Sequence, residues 1–200
     1  MLVTDRSVAG GEIALVDKVA EAVAGGVNVV QLREKDLSHD ALVSLARRVK
    51  EAIAGRALLF VNGSPVVARE VGADGMQMAE YAPSLAERPD GLLAGRSVHS
   101  LEAARRAQAE GVDYVVFGTV FASETHADAA PAGVRALADV CEAVPVPVIA
   151  VGGITKDRIP GVLAAGASGI AVIRAVLAGS DARAAASELR DALDSVRASA

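Results

Sequence analysis

Eight short apolar, β-branched runs punctuate this chain, at residues 1–4, 27–32, 57–61, 75–78, 92–97, 114–117, 146–151 and 169–173. They begin at roughly 24-residue intervals, which is the length of a βα unit with its right-handed crossover. None alternates cleanly between apolar and polar residues, so each suits a parallel strand covered on both faces. The segments between them carry helical period. Ala41, Leu42, Leu45, Ala46, Val49 and Ile53 repeat at three- and four-residue steps, with Arg47, Lys50 and Glu51 on the opposite face. Ser38 is the expected N-cap of that helix and Gly55 its stop; Ser100 and Gly111 bracket residues 101–110 in the same way. Residues 181–196 read as a last helix.

Eight such units close into a (β/α)8 TIM barrel of minimal size, with 200 residues against the ~250 typical of the class. A doubly wound open sheet is the alternative topology. No Pro/Gly/Ser-rich linker interrupts the pattern, so residues 1–200 are expected to form one TIM-barrel domain of α/β class.

Composition narrows the functional classes. Aromatic residues make up 2% of the chain, so the core must be aliphatic and a base-stacking platform is not expected. A net charge of −5 opposes a general nucleic-acid or anionic-membrane surface. Cys141 is the single cysteine, excluding an internal disulfide, and it is expected on the sixth helix, away from any site. No apolar run reaches the ~18 residues of a membrane span, and the start of the chain lacks the pattern of a secretory signal. A cytoplasmic protein is expected.

Barrel chemistry resides at the C-terminal ends of the strands. The second strand ends in Gln31-Leu32-Arg33-Glu34-Lys35-Asp36. Alternation would turn Gln31, Arg33 and Lys35 toward the mouth, where two like charges need a bound anion; otherwise they pair with Glu34 and Asp36 at the rim. Asn62 at the end of the third strand could hold a substrate heteroatom or simply form a turn. Gly152-Gly153 after the seventh strand and Ile173-Arg174 after the eighth occupy the usual phosphate-binding loops of barrels, although a glycine pair also makes tight turns. Residues 118–133 form the longest irregular stretch and read as a lid. Of the three histidines, His39 falls at a helix start and is expected to be solvated. His99 and His126 are the acid–base candidates.

Four segments together resemble the thiamine phosphate synthase-like barrels. They are Gln31 to Asp36, Gly95-Arg96-Ser97-Val98-His99-Ser100, Asp113-Tyr114-Val115-Val116-Phe117-Gly118, and Val148-Ile149-Ala150-Val151-Gly152-Gly153-Ile154. The resemblance implies one of two activities. The synthase branch joins a thiazole phosphate to a pyrimidine pyrophosphate with Mg2+ held by aspartates. One family aspartate follows the third-strand Asn, where this chain has Gly63. Another follows the fourth strand, where Met78-Ala79-Glu80-Tyr81-Ala82 holds none. The family's pyrophosphate-binding lysine falls near His126, in Ser123-Glu124-Thr125-His126.

The thiazole tautomerase (TenI-like) branch is resembled through Val61-Asn62-Gly63, residues 95–102 and Val116-Phe117-Gly118-Thr119-Val120-Phe121. It aromatises a carboxythiazole phosphate tautomer by proton transfer, without metal or cofactor. On that resemblance the expected function is a metal-independent isomerase of thiamine biosynthesis, with the synthase or a non-catalytic thiazole phosphate-binding relative as alternatives. Gly152, Gly153, Ile173 and Arg174 would hold the phosphate; Gln31, Arg33, Lys35 and Asn62 would hold the rest of the thiazole phosphate carboxylate. The branch's catalytic His position carries Thr119 here. His126, His99 or a water positioned by Thr119 is therefore left to move the proton. The resemblance also implies a tendency to homodimerise.

Overall fold

In the computed structural model, which describes residues 1–83, 88, 90–123 and 130–198, the eight runs are eight parallel strands in sequential order. The chain passes through β1 (Leu2–Val3), α1 (Arg6–Ala9), α2 (Glu12–Ala24), β2 (Val29–Leu32), α3 (His39–Ile53), β3 (Leu58–Asn62), α4 (Pro65–Glu70), β4 (Gly75–Met78) and β5 (Leu93–Val98). It continues through α5 (Leu101–Ala109), β6 (Tyr114–Phe117), α6 (Gly133–Ala143), β7 (Val148–Val151), α7 (Ile159–Ala164), β8 (Gly169–Ala171), α8 (Arg174–Leu177) and α9 (Ala182–Ala198). β8 meets β1 through a bridge between Leu2 and Val172, with the Val3 amide donating to the Val172 carbonyl at 2.9 Å. The sheet thus closes on itself as a (β/α)8 TIM barrel, and the open doubly wound alternative is excluded.

Most apolar side chains of the strands pack outward against the helices, as with Leu2, Val30, Leu32, Leu59 and Val115 against Leu15, Val19, Leu45 and Val49. Inside the barrel a smaller cluster of Phe60, Tyr114 and Val116 fills the axis, with Val29, Ile149 and Val151 against it. The two rings lie 5.5 Å apart. They fit because β4 and β5 present glycines to them. A Cβ on Gly75 would come 2.8 Å from the Phe60 ring, and one on Gly95 would come 2.0 Å from the Tyr114 ring. Few aromatics suffice when the opposing wall is backbone.

Capping sets where the units turn. Ser38, Ser64 and Ser100 each accept from an amide in the first turn of α3, α4 and α5. Asp181 does the same for α9 through the Ala184 amide at 2.8 Å. At the far end of the barrel from these caps, Asp74 accepts from the Leu59 amide and Asp113 from the Ala94 amide. Each thereby satisfies the amide of the second residue of a strand. One expected stop lies elsewhere: α3 ends at Ile53, and Ala54 rather than Gly55 takes the left-handed cap, with φ of 49°. Cys141 sits half-buried on α6, as expected, and burial raises its thiol pKa.

Candidate active site

The C-terminal ends of the strands surround a cavity of about 590 Å³. Gln31, Arg33, Lys35 and Asn62 enter it from β2 and β3. Gly152, Gly153, Ile173 and Arg174 enter from the turns after β7 and β8, and His99 and Thr119 complete the wall from β5 and β6. Every expected site residue among the described ones therefore meets in one place. His126, with residues 124–129 of the expected lid, lies outside the described residues.

The β2 end resolves the choice between rim pairing and a cationic mouth. Glu34 is buried and committed to β1: it accepts from the Thr4 hydroxyl at 2.7 Å and pairs with Arg6 at 3.0 Å. Asp36 also pairs with Arg6, at 2.5 Å. The partner of both carboxylates is thus a residue from α1, not Arg33 or Lys35. Among the described residues neither of those two cations forms an ion pair, and both face the cavity. Gln31 is held beside them by donating to the Asn62 side-chain oxygen at 3.2 Å. Asn62 is therefore part of the wall rather than only a turn residue.

A second polar layer crosses the barrel just below. Buried Gln77 accepts from the Tyr114 hydroxyl at 2.7 Å and donates to the Ser97 hydroxyl at 3.0 Å. Desolvation raises the Tyr114 pKa far above its ordinary value, so it stays a neutral donor. Ser97, which lines the cavity, is positioned by this chain. It lies inside a motif visible in the sequence, but its role depends on a contact with β4 that the sequence does not reveal.

The glycine pair is required twice over. Gly152 and Gly153 have φ of 103° and 60°, in the region L side chains avoid. A Cβ on Gly152 would also come 2.5 Å from the Thr119 methyl, and one on Gly153 would strike the Ala122 carbonyl. The start of the β6 loop packs here, with the Val120 and Phe121 amides donating to the Val151 and Gly152 carbonyls at 2.9 and 3.1 Å. The following turn adds Arg158, which the sequence reading missed. Its guanidinium donates to the Gly153 carbonyl and lies 4.5 Å from the Phe121 ring centre, facing the cavity. The signal available was a basic residue one turn beyond the glycine pair.

The fourth wall holds the cavity's carboxylate. Glu80, just past β4, accepts from both the amide and Nδ1 of His99, at 2.9 and 2.6 Å. Burial alone would raise its pKa. The hydrogen bonds from the His99 ring, the Tyr81 hydroxyl and the His99 amide outweigh that and leave it lowered. Against this hydrogen-bonded carboxylate stand Arg33, Lys35, Arg158 and Arg174. Among the described residues no group of three or more His, Cys, Asp or Glu could hold a metal ion. No helix among them is long and apolar enough to cross a membrane. Cations thus line the mouth on two sides, after β2 and in the turns that follow β7 and β8.

The family model described as thiamine monophosphate synthase (TMP-TENI) matches residues 1–176. A relative from Anaeromyxobacter dehalogenans named thiamine-phosphate synthase is 41% identical, covering 91% of this chain and 86% of its own length. One of the same name from Methanoculleus marisnigri is 40% identical over 98% of this chain and 96% of its own. Among solved structures, the thiamine phosphate pyrophosphorylase from Pyrococcus furiosus superposes with a TM-score of 0.88 at 36% identity, covering 98% of this chain and 95% of that one.

Proposed function

Because this chain belongs to the thiamine monophosphate synthase family, we propose that its cavity joins a thiazole phosphate to a pyrimidine pyrophosphate. This replaces the isomerase expected from the sequence, since the close relatives carry the synthase name. The observation that carries the reading is the charge pattern of the mouth: four cations on two walls, against one carboxylate already hydrogen-bonded to a histidine.

The chemistry asks for that pattern. The thiazole nitrogen lone pair forms a bond to the pyrimidine methylene carbon while the C–O bond to pyrophosphate breaks, and the electron pair leaves on the pyrophosphate. No proton need be removed. The site must hold two anionic substrates in line and stabilise charge growing on the leaving group. Gly152, Gly153, Ile173 and Arg174 are assigned to the thiazole phosphate, and Arg33, Lys35, Gln31 and Asn62 to the pyrophosphate. Arg158 can reach toward either.

The resemblance to synthases implies a magnesium ion, and the donor set of the described residues does not fit one. Gly63 offers no oxygen side chain and residues 78–82 hold no aspartate where the family places its aspartates, and Glu80 is tied to His99. The guanidinium and ammonium groups supply the countercharge instead.

The same donor set favours a second reading, the metal-free thiazole tautomerase. That reaction requires a proton-transfer residue, and the position where that branch keeps its histidine is Thr119, whose hydroxyl is no base near neutrality. One experiment separates the two. Purified protein is given thiazole phosphate and pyrimidine pyrophosphate, with and without a chelator, and product is followed by chromatography. Formation of thiamine phosphate in both arms is expected. No product, together with accelerated aromatisation of the carboxythiazole tautomer, replaces the first reading with the second.

A further inference from the structure

The coupling reading uses the cavity's cations but leaves one pair of groups without a task. The His99 side chain is 65% exposed and lines the cavity, yet the Glu80 carboxylate behind it is only 8% exposed. A carboxylate that well shielded is retained where it is paired on several sides. Glu80 is: one oxygen accepts both the amide and Nδ1 of His99, the Tyr81 hydroxyl also hydrogen-bonds the carboxylate, and Arg106 of α5 lies 3.9 Å from the other oxygen. Its backbone is fixed as well, because the buried Arg96 guanidinium donates to the Glu80 carbonyl at 3.2 Å. Arg106 is in turn held by Glu102 at 2.6 Å.

The contact between Nδ1 and a fixed carboxylate sets the orientation of the imidazole. Nε2 is the ring nitrogen left over, and it carries a proton whenever Nδ1–H faces Glu80 in the imidazolium. Resting on the coupling reading, we propose that Glu80 and His99 form a carboxylate-oriented proton donor directed at the pyrophosphate in the cavity. As the C–O bond breaks, Nε2–H passes its proton to the departing pyrophosphate oxygen, and the neutral imidazole regains one from water. His99 is the donor, and Glu80 is a positioning residue.

The test has two independent readouts. In 15N spectra at fixed pH, with the His99 signals identified by their loss in His99→Gln, inorganic pyrophosphate is expected to shift the Nε2 resonance of wild-type protein. In Glu80→Gln that shift is expected to shrink by at least half. In turnover, His99→Gln is expected to lower kcat by about 10²-fold or more, with KM for pyrimidine pyrophosphate within about threefold. Glu80→Gln should lower kcat by a smaller factor, and added imidazole should restore part of the His99→Gln rate. An Nε2 resonance blind to bound pyrophosphate overturns the proposal, as does an unchanged kcat in His99→Gln. Wild-type protein that forms no thiamine phosphate, while pyrophosphate still moves Nε2, refutes the coupling reading and supports the pair as an anion-directed donor.

Discussion

Arg96 on β5 offers the sharpest test of how the site is held. Its guanidinium is 3% exposed, and it donates to the main-chain carbonyls of Ala79, Glu80, Ala82 and Pro83 at 3.0–3.2 Å. It also pairs with Glu110 at 2.8 Å. Nε has no partner among the described residues, and all of these contacts run through the two terminal nitrogens. Replacing it with Met keeps an unbranched apolar stem, removes the charge and leaves those carbonyls without their donor. Breaking a buried ion pair costs about 3–5 kcal/mol. Here the lower end applies, because Glu110 is 36% exposed and water can take over part of its solvation. The carbonyls belong to a partly exposed segment and regain water as well, so their losses do not add. A net cost of about 3 kcal/mol corresponds to a fall in melting temperature of roughly 6–12 °C for a chain of this size. Circular dichroism melts of wild type, Arg96→Met and Arg96→Lys would measure it, with Lys expected to recover only part because it lacks the fork that reaches several carbonyls. A fall in Arg96→Met below about 2 °C would refute the reasoning, since it would mean the fold does not depend on these contacts.

Three other outcomes follow from the same geometry. Arg33→Ala should weaken binding of inorganic pyrophosphate by about 10- to 100-fold in calorimetry, in keeping with loss of a charge-assisted contact of about 1.5–3 kcal/mol; unchanged affinity would remove Arg33 from the anion site. Gly152→Ala should lower the melting temperature and abolish thiazole phosphate binding together, because the new methyl meets Thr119 at 2.5 Å on a backbone with φ of 103°. Glu80 has a folded-state pKa below its ordinary value of 4.5, so its stabilising contribution is present above about pH 4.5 and is lost as pH falls through the lower folded value. The stability difference between wild type and Glu80→Gln should accordingly shrink on acidification, as read from melts at pH 7 and pH 3.

The sequence spoke clearly where a period or a motif carried the information. The spacing of β-branched runs identified the barrel, and alternation along Gln31-Leu32-Arg33-Glu34-Lys35 placed three polar side chains at the mouth, where the structure finds them. What remained hidden were contacts between units distant in the chain. Arg33 and Lys35 stay clear of Glu34 and Asp36 because Arg6, from a different βα unit, takes both carboxylates. Glu80 faces His99 only because β4 and β5 are neighbours with Met78 opposite Arg96. Arg158 reaches the cavity through a single helical turn whose direction the chain alone does not reveal. Local periodicity records which face a residue takes, and pairing across the sheet decides what it meets there.

The balance of charges and protons bears on which reaction this mouth can support. Coupling a neutral ring nitrogen to a carbon bearing pyrophosphate transfers negative charge to the leaving group, and fixed cations in a partly desolvated cavity act directly on that transition state. Ring aromatisation moves a proton from one carbon to another with little net charge change, so the same cations would bind substrate and transition state about equally and raise affinity without raising rate. Arg33, Lys35, Arg158 and Arg174 are therefore useful to catalysis in the first reaction and mainly to binding in the second. Removing one of them distinguishes the cases: under coupling, kcat falls together with kcat/KM, whereas under tautomerisation KM rises with kcat preserved. The Glu80–His99 pair gives the opposite pattern only if it never meets the leaving group, which is the outcome its own variants are designed to expose.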